Sequence, residues 1–172
     1  MANYLTPAQL AERPGARELA QVASERHEAP VAPDLMEATL RGEDRSAWTT
    51  PEITAADAAL ARIQEAAGEA DSMIDGFLVG RDYVLPLSPV PTLVTGWARA
   101  ITRYKLHQER ISDPQHDPIV RDYRDALRLL ELVQQGKFHL GAGDPVASPS
   151  ALDVEFSSET PVFSRDQLKS YR

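Results

Sequence analysis

Residues 54–78 read TAADAALARIQEAAGEADSMIDGFL. Apolar side chains recur there at every third or fourth position, at Leu60, Ile63, Ala67, Ala70, Ile74 and Phe77. This spacing follows the 3.6-residue period of an α-helix and predicts one long amphipathic helix. Because several positions of the stripe are alanine, we expect the backbone of another helix to approach it closely.

Two further helices are predicted towards the C-terminus. The first runs from about Thr92 to Ile111 and has an apolar stripe of Leu93, Trp97, Ile101 and Tyr104. The second runs from about Pro118 to Gln135, and its buried side comprises Val120, Tyr123, Leu127, Leu130 and Val133 or Gln134. Both patterns have the helical period.

Glycine and proline predict where these helices end. Gly80 and Gly136 follow the long helix and the last helix, in the position of a C-terminal cap. Residues 84–91 contain three prolines and predict an extended connection. We expect a shared core of Trp97, Tyr104, Ile74 and Phe77, with Pro86 and Leu87 closing one end.

The N-terminal third predicts shorter elements. Thr6 is placed as an N-cap with Pro7 in the first helical turn, and Pro14-Gly15 ends or kinks that helix. Arg17–Ser24 predicts a second short helical piece. Glu25–Thr50 predicts a loop-rich segment with a helical turn at Leu35–Leu40, anchored on the core by Trp48.

The predicted fold is therefore all-α. It is a small bundle of three main helices plus a short N-terminal helix, followed by a long extended C-terminal tail. Three parts are expected along the chain: an N-terminal segment packed on the bundle (1–53), the bundle core (54–141) and a docking tail (142–172).

The tail carries more apolar residues than a solvated tail requires. We expect it to dock on a neighbouring subunit or on a partner, with a short terminal helix capped by Ser164. The predicted anchors are Phe156, Val162, Phe163 and Leu168.

Composition excludes several classes of protein. The chain has 172 residues and no cysteine, which excludes disulfides and thiolate metal sites and favours a reducing cytoplasm. No apolar run approaches the roughly 20 residues of a membrane span, and the N-terminus lacks the pattern of a signal peptide. The net charge of −8 argues against a nucleic-acid clamp.

Charge is unevenly distributed. Residues 51–90 carry two basic and seven acidic side chains, whereas residues 91–140 carry eight basic and six acidic ones. The two helix faces either neutralise each other within one chain or meet between subunits of a ring. The second interpretation predicts a subunit interface formed by Glu65, Glu69, Asp71, Arg99, Arg103 and Arg110.

No residue pattern predicts catalysis, a metal or a cofactor. The four histidines are dispersed, and Asp113 and His116 lie in a loop interrupted by proline. Asp71 and Asp75 are one helical turn apart, but an acidic solvated face explains that spacing better than paired catalytic carboxylates. We therefore do not expect this protein to be an enzyme.

Four stretches resemble a known family, the head–tail adaptor (head-completion or connector) proteins of Mu-like phages and prophages. They are Tyr4–Pro7, Ile74–Leu87, Trp97 with Ile101–Leu106, and Tyr123–Leu127 leading to Gly136–Gly141; Val162–Leu168 is similar to the family's ending. Asp82, between Arg81 and Tyr83, departs from the family pattern, and Glu25–Thr50 matches no part of it.

The resemblance implies a structural protein of the virion neck that is assembled in the host cytoplasm. Such adaptors form a ring, usually a dodecamer, that binds the portal protein and the next neck or tail-completion protein. DNA passes through the lumen without specific binding, and neither a membrane nor a catalytic residue is implied. The alternative is a helical interaction or regulatory protein that forms a tail-swapped dimer. A helical-bundle enzyme is a third possibility, and it would require a bound metal or cofactor.

Overall fold

The computed structural model describes residues 4–24, 27, 29–81 and 83–141. The regular secondary structure of these residues is entirely helical, as predicted, with no β-strand among them. A kinked segment at Ala11–Gly15, in which Arg13 has extended backbone angles, joins the first two helices, and a 3₁₀ turn at Val79–Arg81 follows the fourth. The α-helices are α1 (Pro7–Leu10), α2 (Ala16–Ala23), α3 (Pro33–Arg41), α4 (Thr50–Leu78), α5 (Thr92–His107) and α6 (Pro118–Gln134).

Helix α4 is 29 residues long and begins four residues earlier than predicted. Thr49 and Glu52 form a capping box, in which the backbone N–H of Thr49 donates to Glu52 Oε2 over 2.8 Å. Pro51 is compatible with this first turn because its missing N–H has no helical partner there. The predicted cap at Gly80 is wrong, because Gly80 lies inside the 3₁₀ turn.

The prediction of a loop-rich Glu25–Thr50 segment is partly wrong. Helix α3 has nine residues, and Gly42 ends it in the left-handed conformation, with φ of 69°. Proline at both ends of the segment concealed this helix, although Pro33 in the first turn is favourable. Trp48 packs against the core as expected. The residues of α3 that are buried are Leu35, Met36, Ala38, Thr39 and Leu40.

The N-terminus is part of the core. Thr6 caps α1 as predicted, in a capping box with Gln9. The chain kinks at Arg13-Pro14 and continues into α2. Tyr4 and Leu5 are almost completely buried, so the core includes residues from both of the first two predicted parts of the chain.

The α4 stripe packs as predicted, and α5 is displaced by one position at its start. Trp97 and Ile101 are buried, but Leu93 is 39% exposed and Val94 is buried in its place. Helix α5 ends at His107, before the predicted Ile111. Gly136, with φ of 72°, ends α6 as predicted.

Aromatic residues hold α5 against α6. The rings of Tyr104 and Tyr123 stack with centroids 4.0 Å apart, and Phe138 packs on Trp97 at 6.4 Å. Leu87 packs against the core as expected, whereas Pro86 is exposed and does not close the bundle. No helix in the described part of the chain is long and apolar enough to cross a membrane.

Candidate interaction surfaces

The acidic residues predicted on α4 do not share one surface. Glu65 and Glu69 are exposed, but Asp71 is only 4% exposed. Asp71 follows Ala67 by four positions and precedes Ile74 by three, so it lies on the side of the helix that faces the core. The prediction that Asp71 belongs to an exposed acidic face is therefore wrong.

Asp75 has a structural partner. The hydroxyl of Tyr4 donates a hydrogen bond to Asp75 Oδ1 and accepts one, over 3.3 Å, from the backbone N–H of Leu87. Burial, followed by the hydrogen bond to Asp75, raises the pKa of Tyr4. Asp75 thus anchors the N-terminus, and its spacing from Asp71 alone did not indicate this.

Arg103 is paired inside the subunit. Its Nε and Nη2 donate to the two carboxylate oxygens of Glu18 over 2.6 and 2.9 Å, and His107 Nε2 lies 2.9 Å from Glu18 Oε1. Burial acts to raise the pKa of Glu18, but Arg103 and His107 outweigh it and the pKa lies below its ordinary value. This network fastens α2 to α5.

Glu69 also has a partner of its own, because Lys105 on α5 donates to it. Within the subunit, Glu69 and Arg103 thus pair with different residues. The acidic face of α4 and the basic face of α5 neutralise each other in part within one chain, through Glu69 and Lys105. Of the predicted interface residues, Glu65 and Arg110 are exposed and Arg99 is half-buried.

Arg99 lies in a cleft of about 500 Å³ between α2, α5 and α6. Its Nε is buried and has no hydrogen-bond acceptor among the described residues. Apolar atoms of Trp97 and Leu129 line the same cleft, and so do the charged side chains of Arg13 and Asp125.

The described residues hold no group of three or more histidine and acidic side chains that could bind a metal ion. His116 Nδ1 lies 2.8 Å from Asp113 Oδ2, but both side chains are exposed. The hydrogen bond from His116 lowers the pKa of Asp113. The pair has no further ligand beside it and stabilises the α5–α6 loop.

One end of the molecule exposes apolar side chains that sequence reasoning missed. Val79 is 72% exposed and Val84 is 86% exposed, and Leu93 begins the next helix. We call Val79, Val84 and Leu93 the apolar end. The run of apolar residues in the connection after α4, from Val84 to Leu87, was the signal that could have revealed it. The predicted tail anchors Phe156, Val162, Phe163 and Leu168 lie outside the described residues.

A family model described as "Bacteriophage Mu, Gp36" matches residues 4–157, which is most of the chain. The chain belongs to the Bacteriophage Mu Gp36 family. The match begins at the buried Tyr4 and continues past the last described residue, Gly141, into the tail. The shared part of the family therefore includes the whole helical bundle and the first half of the tail.

Two relatives place this Gp36-family chain among proteins of Mu-like phages. The "Mu-like prophage FluMu protein gp36" of Haemophilus influenzae is 39% identical over 106 residues, which are 62% of this chain and 70% of the relative. "Gene product J" of Escherichia phage Mu is 36% identical over 106 residues, 60% of this chain and 72% of that protein. The chain is thus a protein of the Mu-like phage type.

Proposed function

We propose that this protein is a structural component of the phage particle, a head–tail adaptor that forms a ring beneath the portal. The observation that carries the proposal is the family match over residues 4–157. In such an assembly, the partners of this protein are the portal and the next neck or tail-completion protein. The DNA channel continues through the ring, and the protein has no enzymatic role.

The fold supports this proposal through the division of the chain. The bundle is fastened internally by the Glu18–Arg103 and Tyr4–Asp75 contacts, so it is a rigid unit suited to packing side by side. The tail then provides apolar anchors beyond the bundle, at Phe156, Val162, Phe163 and Leu168. We propose that these anchors dock on the portal or on adjacent subunits.

The structure changes which charges are available for contacts between subunits. Arg103 pairs with Glu18 and Asp71 is buried, so neither is free to reach a neighbour without disturbing the fold. Glu65, Arg99 and Arg110 remain as candidates. Contacts of this kind at the rim of an interface affect association rate and salt dependence more than final affinity.

The lumen of the proposed ring is passive towards DNA. The chain has a net charge of −8, and each phosphate contact from a basic residue would add salt-dependent affinity. The exposed acidic residues around α3, such as Asp34 and Glu37, are candidates for the lumen lining. We expect no tight DNA binding by the purified ring near physiological salt, as measured by filter binding.

The proposal is tested by the size and shape of the purified full-length protein. Sedimentation velocity and negative-stain imaging should show rings with a central hole. A compact dimer would instead support the tail-swapped regulatory protein, and a monomer at all concentrations would contradict the ring. A chain truncated after Gly141 should remain helical by circular dichroism and fail to join the neck; normal head completion by this truncated chain would contradict tail docking.

A further inference from the structure

The apolar end carries the large apolar side chains that are exposed among the described residues. Scattered exposed apolar residues are normal in soluble proteins, but several at one end of a bundle provide a surface on which a contact can form. Val79 lies in the turn that ends α4, Val84 in the connection and Leu93 in the first turn of α5. Because the connection joins these two packed helices, all three residues lie at one end of the bundle.

The connection after α4 is held in place, so its exposed side is a defined surface. Tyr83, Leu85 and Leu87 pack against the core, whereas Val84 and Pro86 between them are exposed. Such alternation is typical of an extended chain with one buried side. The hydrogen bond from the Leu87 N–H to the Tyr4 hydroxyl fixes the register.

The chain leaves the bundle at this same end. Arg81, in the turn that carries Val79, lies against Gly136; a Cβ atom on Gly136 would lie 2.9 Å from Arg81 Nη1. Phe138 then packs on Trp97, which keeps the following residues close to the bundle. The last described residues before the tail therefore lie near the end of the bundle that carries Val79.

The tail contains a segment with a complementary pattern. Residues 152–156 read LDVEF, in which Leu152, Val154 and Phe156 alternate with two acidic residues. This alternation predicts a segment with one apolar side and one acidic side. The family match extends to residue 157, so the segment belongs to the part of the chain that the family shares.

We propose that residues 152–156 of one subunit cover the apolar end of the neighbouring subunit. The proposal rests on the ring proposed above, because rotation about a ring axis places equivalent ends of adjacent subunits at the same level. The apolar side of the segment packs on Val79, Val84 and Leu93, and its acidic side faces solvent.

The spacer between the bundle and this segment favours a neighbour over the same subunit. Residues 142–151 include Pro145 and Pro149, which favour an extended chain of about 3.1 Å per residue. Ten such residues span roughly 30 Å, whereas one helix is about 10 Å across. The spacer is therefore long enough for Leu152 to reach a neighbouring subunit.

Engineered cysteines test this proposal cleanly because the chain has none of its own. The full-length variant with Val84→Cys and Val154→Cys is assembled, oxidised and run on a denaturing gel without reductant. We expect a ladder of chains linked between subunits. The matched control carries Ser112→Cys with Val154→Cys, since Ser112 is exposed in the α5–α6 loop at the other end, and it should give no ladder.

The ring itself is tested on the unmodified protein. The possible outcomes therefore distinguish this inference from the proposal of a ring. Rings whose Val84→Cys/Val154→Cys variant forms no disulfide, or only a disulfide within each chain, contradict the inference and leave the ring intact. A ladder of equal strength in the control means random collision and also contradicts it. Absence of rings in the unmodified protein contradicts both proposals.

Discussion

The middle of the bundle and its apolar end differ in how completely each satisfies its own side chains. In the middle, Trp97 is 4% exposed and Glu18 holds Arg103 and His107 in one network. At the end, Val84 is 86% exposed although the chain on both sides of it packs inward. The middle explains why the subunit folds, whereas the end leaves large apolar side chains exposed within the single chain.

The largest effect should come from the middle of the bundle. Trp97→Ala should lower the free energy of unfolding by about 3–5 kcal/mol, because it leaves a cavity beside Phe138. Urea denaturation measures this loss. The matched control is Leu93→Ala on the same helix, which should cost less than about 1 kcal/mol because Leu93 is partly exposed. Equal losses would contradict the described packing of α5.

Tyr4→Phe should have the next largest effect. It removes the hydroxyl that donates to Asp75 and accepts from the backbone N–H of Leu87. Both of these part-buried groups then lose a hydrogen-bond partner. We expect a loss of about 1–3 kcal/mol in the free energy of unfolding. Tyr104→Phe is the control, since Tyr104 contributes mainly by ring stacking and should change stability by about 0.5 kcal/mol or less.

Glu18→Gln should destabilise the fold in a pH-dependent way. The pKa of Glu18 is lower in the folded chain than its ordinary value of 4.5, so its contribution is present above that value and is lost as the pH falls through the folded pKa. At pH 7 we expect a loss of about 1–2 kcal/mol, discounted for the partial exposure of the pair.

Chemical denaturation at several pH values checks this prediction. The difference in the free energy of unfolding between Glu18→Gln and the unmodified protein should shrink as the solution is acidified below about pH 4.5. Glu65→Gln, an exposed residue of α4, should differ from the unmodified protein by about 0.5 kcal/mol or less throughout. A loss for Glu18→Gln that stays constant at all pH values would contradict a contribution from the ionised carboxylate of Glu18.

The smallest effect on stability should come from the apolar end. Val84→Asp should change the free energy of unfolding by about 0.5 kcal/mol or less, because Val84 contacts little within the subunit. It should nevertheless weaken association, which sedimentation velocity measures. Ser112→Asp adds the same charge at the other end and should leave association unchanged. Loss of association in both variants would point to net charge as the cause.

The helices with a long apolar period were predictable because their signal is local. The stripe from Ile63 to Ile74 and the stop at Gly136 required only residues within a few turns of each other. Helix α3 was underestimated because it is short and two prolines, Pro30 and Pro33, lie at its start, and its burial depends on α2 and α4. The sequence from Tyr83 to Leu87 is apolar throughout, so the alternation of buried and exposed side chains there depends on the core beside it.

The candidate surfaces were predictable only in part. Residue type and charge indicated that α4 and α5 carry opposite charges, and Glu69 does meet Lys105. Sequence spacing could not indicate that Arg103 pairs with Glu18, 85 residues away, or that Tyr4 reaches Asp75 across 71 residues. Such pairs depend on the angles at which helices cross, and these angles follow from packing of the whole core.

The sequence by itself determined the all-helical class, the long α4 with its alanine-rich stripe and the membership of the Mu Gp36 family. These properties depend on local periodicity and on residue patterns that are read along the chain. Only the tertiary structure decided that Asp71 is buried, that Arg103 is occupied within the subunit and that Val84 is exposed. The reason is that burial and pairing depend on which distant segments come together, and no short stretch of sequence contains that information.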